Sequence, residues 1–284
     1  MRACLLFLLI AVLPNWARAE IAQLEMRPKI NASAEYLSGQ RDKPAVLLLH
    51  GFLQTREFPT VATLARGLNE AGYPVLTPTL SLGIPNRRQS LACEAIHRHG
   101  MEDDLNEISR WVDWLKSRGH RSVVLVGHSF GSLQLLAYLG AQPDPVIKGY
   151  VGASLIEVQI GSPQRSGLMS RLQDRISKGQ HALVTQQLSL CKKYTSTPRG
   201  LLSYLRWDQS QTLAALQHAP DNTLLIMGDA DTMLARNWLK ALKLARTPIT
   251  IVKGANHFMD GAHEFDLLEK TLEFLGGAEL SASR

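Results

Sequence analysis

No stretch of this 284-residue chain approaches eighteen consecutive apolar residues, which excludes a membrane-spanning helix in the body of the protein. No Gly-x-Gly-x-x-Gly pattern follows an early strand-like run, so a dinucleotide-binding turn is missing and no cofactor is expected. Low-complexity tracts and internal repeats are absent, which sets aside linkers and solenoids. Positive charge exceeds negative by only six, and no nucleic-acid motif accompanies it, so nucleic acid is not expected as a partner. Cysteine is scarce, at three residues, too few for a disulfide-framed miniature fold. What remains is an ordinary globular composition, 45% hydrophobic and 20% charged, at a length that suits one large domain or one domain carrying an insertion.

The first nineteen residues read as an export leader. Arg2 supplies the positive start, Leu5 to Leu13 an apolar run too short to cross a bilayer, and Ala17-Arg18-Ala19 the small residues that a signal peptidase reads. Cleavage is expected after Ala19; an uncleaved anchor is the alternative. The expected destination is the bacterial periplasm, or secretion. Two cysteines then remain, Cys93 and Cys191. An oxidising compartment permits one disulfide between them, with two free thiols as the alternative. Removal of Arg2 and Arg18 would lower the net charge from +6 to +4. The segment from Glu157 to Asn222 alone holds that excess, with eight Lys or Arg against four acids. Such a segment could attract an anionic substrate or touch an anionic membrane surface; a solvated helical face is the plainer reading.

Continuous apolar runs recur along the chain: Ala45 to Leu49, Val123 to Val126 and Leu224 to Met227. Unbroken apolar strands are buried on both faces, as in a parallel sheet covered by helices. Pro74 to Leu76, Gly149 to Val151 and Ile249 to Val252 read as further strands. Between them lie helical stripes. Val61, Leu64, Ala65 and Leu68 share a face, with Thr60 as the expected N-cap and Gly72 as the stop; Leu105, Ile108, Val112 and Leu115 end at Gly119; Leu268, Leu272 and Leu275 end at Gly276-Gly277. Strands alternating with helices in this way predict an α/β fold. From Glu157 to Asn222 no buried strand is evident, and the segment is too long for a simple loop, so a helical insertion is expected there.

One turn carries the clearest chemistry. Gly127-His128-Ser129-Phe130-Gly131 follows the Val123 strand and opens a helical stretch, the context that gives a G-x-S-x-G pattern meaning. It makes Ser129 the candidate nucleophile. A serine hydroxyl needs a base, and His257 is placed for it, in Gly254-Ala255-Asn256-His257-Phe258 just past the Ile249 strand. An acid should orient that imidazole. Asp231 in Gly228-Asp229-Ala230-Asp231 is preferred over Asp229, because the chain must leave the strand before a side chain can turn to the histidine; either aspartate could instead cap a helix beginning near Met233. Acyl transfer also needs oxyanion donors. The backbone N–H groups of Phe52, in His50-Gly51-Phe52, and of Phe130 are the candidates.

Taken in order, His50-Gly51-Phe52, the Ser129 elbow, Gly228-Asp229-Ala230-Asp231 and Asn256-His257 resemble the α/β-hydrolase superfamily over about Pro44 to Gly276. The resemblance implies a three-layer α/β/α sandwich with a mostly parallel eight-stranded sheet. It implies a hydrolase core over 20–156 and 223–284, with a helical cap over 157–222. Leu80 to Arg88 departs from the Asp-Xaa-Arg-Gly-His-Gly loop of many members, so no subfamily follows. Cys93, His97 and His99 are zinc-ligand types but lack a second paired motif; a disulfide beside surface histidines is the simpler reading, and no metal is expected. The expected activity is carboxylic-ester hydrolysis on a small or lipid-like acyl substrate. A thioesterase, lipase, amidase or acyltransferase would use the same three residues, and a non-catalytic binding protein would keep the fold without the chemistry.

Overall fold

A computed structural model describes residues 19–160 and 162–277. The expected leader, apart from Ala19, lies outside the described residues.

The main sheet has eight strands in the order β1-β2-β4-β3-β6-β7-β10-β11. Its first two, β1 (Ala19–Arg27) and β2 (Ile30–Leu37), form an antiparallel hairpin, and β2 pairs antiparallel with β4 (Val75–Thr79). The rest are parallel: β4 to β3 (Ala45–Leu49), β3 to β6 (Val123–His128), β6 to β7 (Ile147–Ala153), β7 to β10 (Thr223–Gly228) and β10 to β11 (Ile249–Val252). Every expected strand is therefore present, and the sheet is mostly parallel. The hairpin carries no unbroken apolar run, because only small or spaced residues (Ala22, Met26, Ala32, Ala34) turn inward from it.

Two apolar layers sandwich the sheet, and alternate residues of one strand serve each. Leu47, Leu49 and Leu125 face the layer under α2 (Met101–Ser117) and α3 (Phe130–Ala141), with Trp111 and Tyr138 at its centre. Val46, Leu48, Val124 and Val126 face the opposite layer, closed by α1 (Pro59–Glu70) and the C-terminal helix (Glu264–Gly277). Burial on both faces explains why these strands read as continuous apolar runs. The stripe on α1 is buried as expected, and Gly72 ends it at φ +91°. Thr60 is not its cap. Pro59, whose fixed φ suits the first helical position, starts the helix with Phe58 as N-cap. The Thr60 hydroxyl instead donates to the carbonyl of Phe258 at 2.9 Å.

Between β7 and β10 the expected helices are present: α4 (Ser162–Ser177), α5 (Pro198–Leu205) and α6 (Gln209–Leu216). The segment also holds an antiparallel hairpin, β8 (Val184–Leu188) and β9 (Cys191–Ser196). It escapes a sequence reading because the centre of β8 is three polar residues in a row, Thr185 to Gln187, with exposed positions alternating along it. Strand β9 pairs in parallel with β5 (Ile96–His97), forming a second, three-stranded sheet that joins this segment to the core. A disulfide between Cys93 and Cys191, with Cα atoms 5.2 Å apart, fastens the same junction. A short helix, α7 (Trp238–Leu244), precedes β11, and α8 is the C-terminal helix Glu264–Gly277.

Candidate active site

Ser129 sits where β6 turns into α3, at φ 57° and ψ −122°. That conformation is costly for a residue with a Cβ and persists only where the surroundings impose it. Here they do. The Ser129 N–H donates to the carbonyl of Ala153 at 2.8 Å, and the Ser132 hydroxyl donates to the carbonyls of Gly127 and Ala153 at 2.7 and 2.9 Å. The flanking glycines are sterically required. A Cβ on Gly127 would lie 2.6 Å from the backbone of Ser132, and one on Gly131 would lie 2.4 Å from the carbonyl oxygen of His50. The pattern of small residues around the serine thus reflects close approach of two strand ends to the helix start.

The structure brings Ser129, His257 and Asp231 into one hydrogen-bonded chain. Ser129 Oγ lies 2.7 Å from His257 Nε2, and His257 Nδ1 lies 2.7 Å from Asp231 Oδ2. A carboxylate only accepts, so in the neutral ring the proton resides on Nδ1, and Nε2 offers its lone pair to the serine hydroxyl. Asp231 has its second oxygen on the N–H of Met233 at 2.9 Å, and its side chain is fully buried. Asp229 serves elsewhere, accepting from the N–H of Gly254 at 2.6 Å. Neither aspartate caps a helix near Met233, because α7 begins only at Trp238. Ser129 and His257 are 4% and 3% exposed.

Three residues that the sequence did not mark for this role hold the backbone around the histidine. The backbone carbonyl of His257 accepts from His128 Nε2 at 3.0 Å and from Ser154 Oγ at 2.8 Å. Thr60 holds the next carbonyl, as described. Burial drives the pKa of His128 down to about 4, so the ring is neutral, with Nε2 protonated toward the carbonyl. Only position could have suggested them: His128 ends β6, and Ser154 follows the end of the paired strand β7.

Phe52 and Phe130 come together on the other side of Ser129, with ring centroids 4.7 Å apart. Their loop is organised by His50 and Arg87. His50 Nε2 accepts from the N–H of Leu80 at 3.2 Å, so Nδ1 carries the proton toward the carbonyl of Gly51, at 2.9 Å. Burial, aided by the Arg87 charge, lowers the His50 pKa to about 3. Buried Arg87 donates to the carbonyls of Leu80, Gln54 and Gln89 at 2.7, 2.7 and 2.9 Å. The loop from Leu80 to Arg88 therefore braces the His50-Gly51-Phe52 turn through its arginine.

The segment between β7 and β10 closes over these rings. Tyr194 of β9 packs on Phe52, and Tyr204 of α5 on Phe130, at centroid distances of 5.9 and 5.5 Å. Tyr204 also donates to buried Asp104, which binds His99 Nδ1 at 3.1 Å and accepts from Gln134 Nε2 at 2.7 Å. His97 stacks on Tyr194 at 4.1 Å. Cys93, His97 and His99 are thus spent on a disulfide, a ring stack and a buried hydrogen-bond network; the two histidines are buried, not on the surface. The cavity beside Phe52, Phe130, His99 and Tyr204 measures about 10 Å³, room for one water.

A mostly parallel sheet with this strand order, a strained serine at a strand–helix turn and a histidine–aspartate pair from later strand ends define an α/β-hydrolase fold. The sequence profile of the alpha/beta hydrolase family matches residues 46–266, and the chain belongs to that family. Among curated protein sequences none matches. Solved structures with the same fold include Est1E from Butyrivibrio proteoclasticus (17% identity, TM-score 0.65, 91% of this chain and 98% of that one). The thioesterase domain from the curacin biosynthetic pathway aligns at 19% identity and TM-score 0.59, over 90% and 99% of the two chains. Bromoperoxidase from Bacillus anthracis aligns at 18% and 0.62, over 90% and 100%.

Proposed function

We propose that this protein is a serine hydrolase that cleaves carboxylic esters through an acyl-enzyme. The observation that carries the reading is the relay from Ser129 Oγ through His257 to Asp231, with both bonds at 2.7 Å. In this scheme His257 Nε2 removes the Ser129 proton as Oγ adds to the carbonyl carbon, and Asp231 stabilises the imidazolium. The imidazolium then protonates the leaving alcohol. Water, deprotonated by the same nitrogen, releases the acid and restores the serine. The N–H groups of Phe52 and Phe130 would receive the oxyanion, and the positive end of α3 supports the second.

Export fits this reading, since a disulfide between Cys93 and Cys191 persists in an oxidising compartment. Thioesters use the same attack, and a thioesterase domain shares the fold. The basic residues of the 157–222 segment lie mostly outward: Arg171, Lys178, Lys192, Lys193, Arg199 and Arg206 are exposed. These exposed cations could meet an anionic membrane surface.

The decisive experiment is labelling by a fluorophosphonate probe, followed by turnover of p-nitrophenyl esters and acyl thioesters. Wild type is expected to label and to hydrolyse esters, while Ser129→Ala does neither. Labelling that survives Ser129→Ala would remove Ser129 as nucleophile, and faster thioester than ester cleavage would move the activity to thioesterase.

A further inference from the structure

The small cavity beside Phe52 and Phe130 lies against the turn that carries the proposed oxyanion donors. Its walls include Gly51, Phe52, Leu53, Leu82, His99 and Phe130. Phe130 directly follows Ser129, and a Cβ built on Gly51 would lie 3.3 Å from the Cβ of Ser129. The cavity is thus walled by immediate neighbours of that serine. At about 10 Å³ it admits one group the size of a water and excludes a long acyl chain.

Four polar side chains line it: His50, His99, Gln134 and Tyr204. Three are committed elsewhere. His50 uses its two ring nitrogens on the backbone of Gly51 and Leu80, while the Gln134 amide and the Tyr204 hydroxyl donate to Asp104. His99 is committed on one side only. Its Nδ1 lies 2.7 Å from the Tyr204 hydroxyl and 3.1 Å from Asp104 Oδ1. That hydroxyl already donates to Asp104, and a carboxylate only accepts, so Nδ1 carries the ring proton. Nε2 is buried without a hydrogen-bond partner among the described residues, on a side chain in a residue 2% exposed. No other side-chain nitrogen or oxygen of the lining is left in that condition. A buried polar atom is costly until something bonds to it.

We propose that His99 is a specificity-determining residue: Nε2 accepts a hydrogen bond from a hydroxyl on the acyl part of the substrate, and the protein prefers short hydroxyacyl esters to plain alkanoyl esters. An acyl group whose carbonyl is held at Ser129 by the Phe52 and Phe130 amides has this cavity beside it. A hydroxyl matches the cavity in size, and Nε2 is the acceptor it meets there. Phe52, Leu53, Leu82 and Phe130 offer apolar contact to the short carbon chain and no rival partner for its hydroxyl. A site built to bond a hydroxyl rejects the analogue that lacks it, because its own polar atom then stays buried and unpaired. The inference rests on the serine-hydrolase reading, because it names that reaction's substrate class.

The test compares kcat/KM on two isosteric pairs of p-nitrophenyl esters, glycolate against propionate and β-hydroxypropionate against butyrate, each divided by its rate with hydroxide. Wild type is expected to favour the hydroxyl member of at least one pair by about tenfold or more. His99→Asn keeps an amide donor toward Asp104 but ends short of Nε2, and is expected to bring that ratio near one. His99→Gln extends an amide to the Nε2 position and is expected to hold a ratio between those of wild type and His99→Asn. Ratios near one for both pairs in wild type, or a preference that either substitution leaves at the wild-type value, would overturn the proposal. Fluorophosphonate labelling separates the two readings. Labelled Ser129 with no hydroxyl preference, or with no turnover of these esters, overturns this inference alone; no labelling removes the hydrolase reading and this inference with it.

Discussion

At the scale of single residues, the arginine of the Leu80–Arg88 loop ties together three stretches of backbone. Arg87 bonds three carbonyls within 2.9 Å and lies beside His50. A lysine is a point charge without the fork and cannot span them. Arg87→Lys is therefore expected to remain folded but to react with the fluorophosphonate probe about tenfold more slowly, because the Phe52 amide would drift from the proposed oxyanion position. A labelling rate equal to wild type in a folded variant would show that the turn is held without Arg87. The three members of the hydrogen-bonded chain could be picked out in the sequence, since Ser129, Asp231 and His257 each follow a strand whose apolar run is obvious. The supporting residues were not. His128, Ser154 and Thr60 act through the backbone of residues 257 and 258, more than a hundred positions away, and no local pattern encodes such a contact.

At the scale of elements, the junction between α5 and α2 holds a buried polar network. Tyr204, Asp104, His99 and Gln134 are all buried there and share hydrogen bonds. Tyr204→Phe leaves Asp104 one donor short and is expected to destabilise the protein by about 1–3 kcal/mol. Urea unfolding should show this as a lower midpoint with an unchanged slope; an unshifted midpoint would mean that the network adds nothing to the docking of α5. The strands of the core were readable because burial on both faces makes them uniformly apolar. The β8–β9 hairpin was not, because one face meets solvent and its pairing partner, β5, is only two residues long. The boundary of α1 was misplaced for a related reason: Thr60 has the chemistry of a cap, but Pro59 ahead of it already satisfies the geometry of a helix start.

At the scale of the whole molecule, buried neutral histidines govern the response to acid. Burial lowers His50 to about 3, and His97 and His128 to about 4, from 6.5. The unfolded chain takes up these protons first as the pH falls below about 6.5, so each histidine withdraws stability until its folded value is reached. Glu107 works the other way, since burial raises it from 4.5 to about 6. Between pH 6 and 4.5 the lowered histidines outnumber the raised carboxyls, and stability should fall as the pH drops. Thermal unfolding from pH 7 to 4 should show a falling midpoint; a flat profile would contradict these protonation states. The disulfide has a consequence of another kind, in the order of assembly. Cys93 and Cys191 bracket Ser129, whereas Asp231 and His257 both lie beyond the closed span. Under the proposed export and the proposed chemistry, a chain entering an oxidising compartment would seal the covered side of the serine while the proposed acid and base are still to arrive. On that proposal the serine would be enclosed before its partners are in place, and reactivity would wait on the last two strands of the sheet.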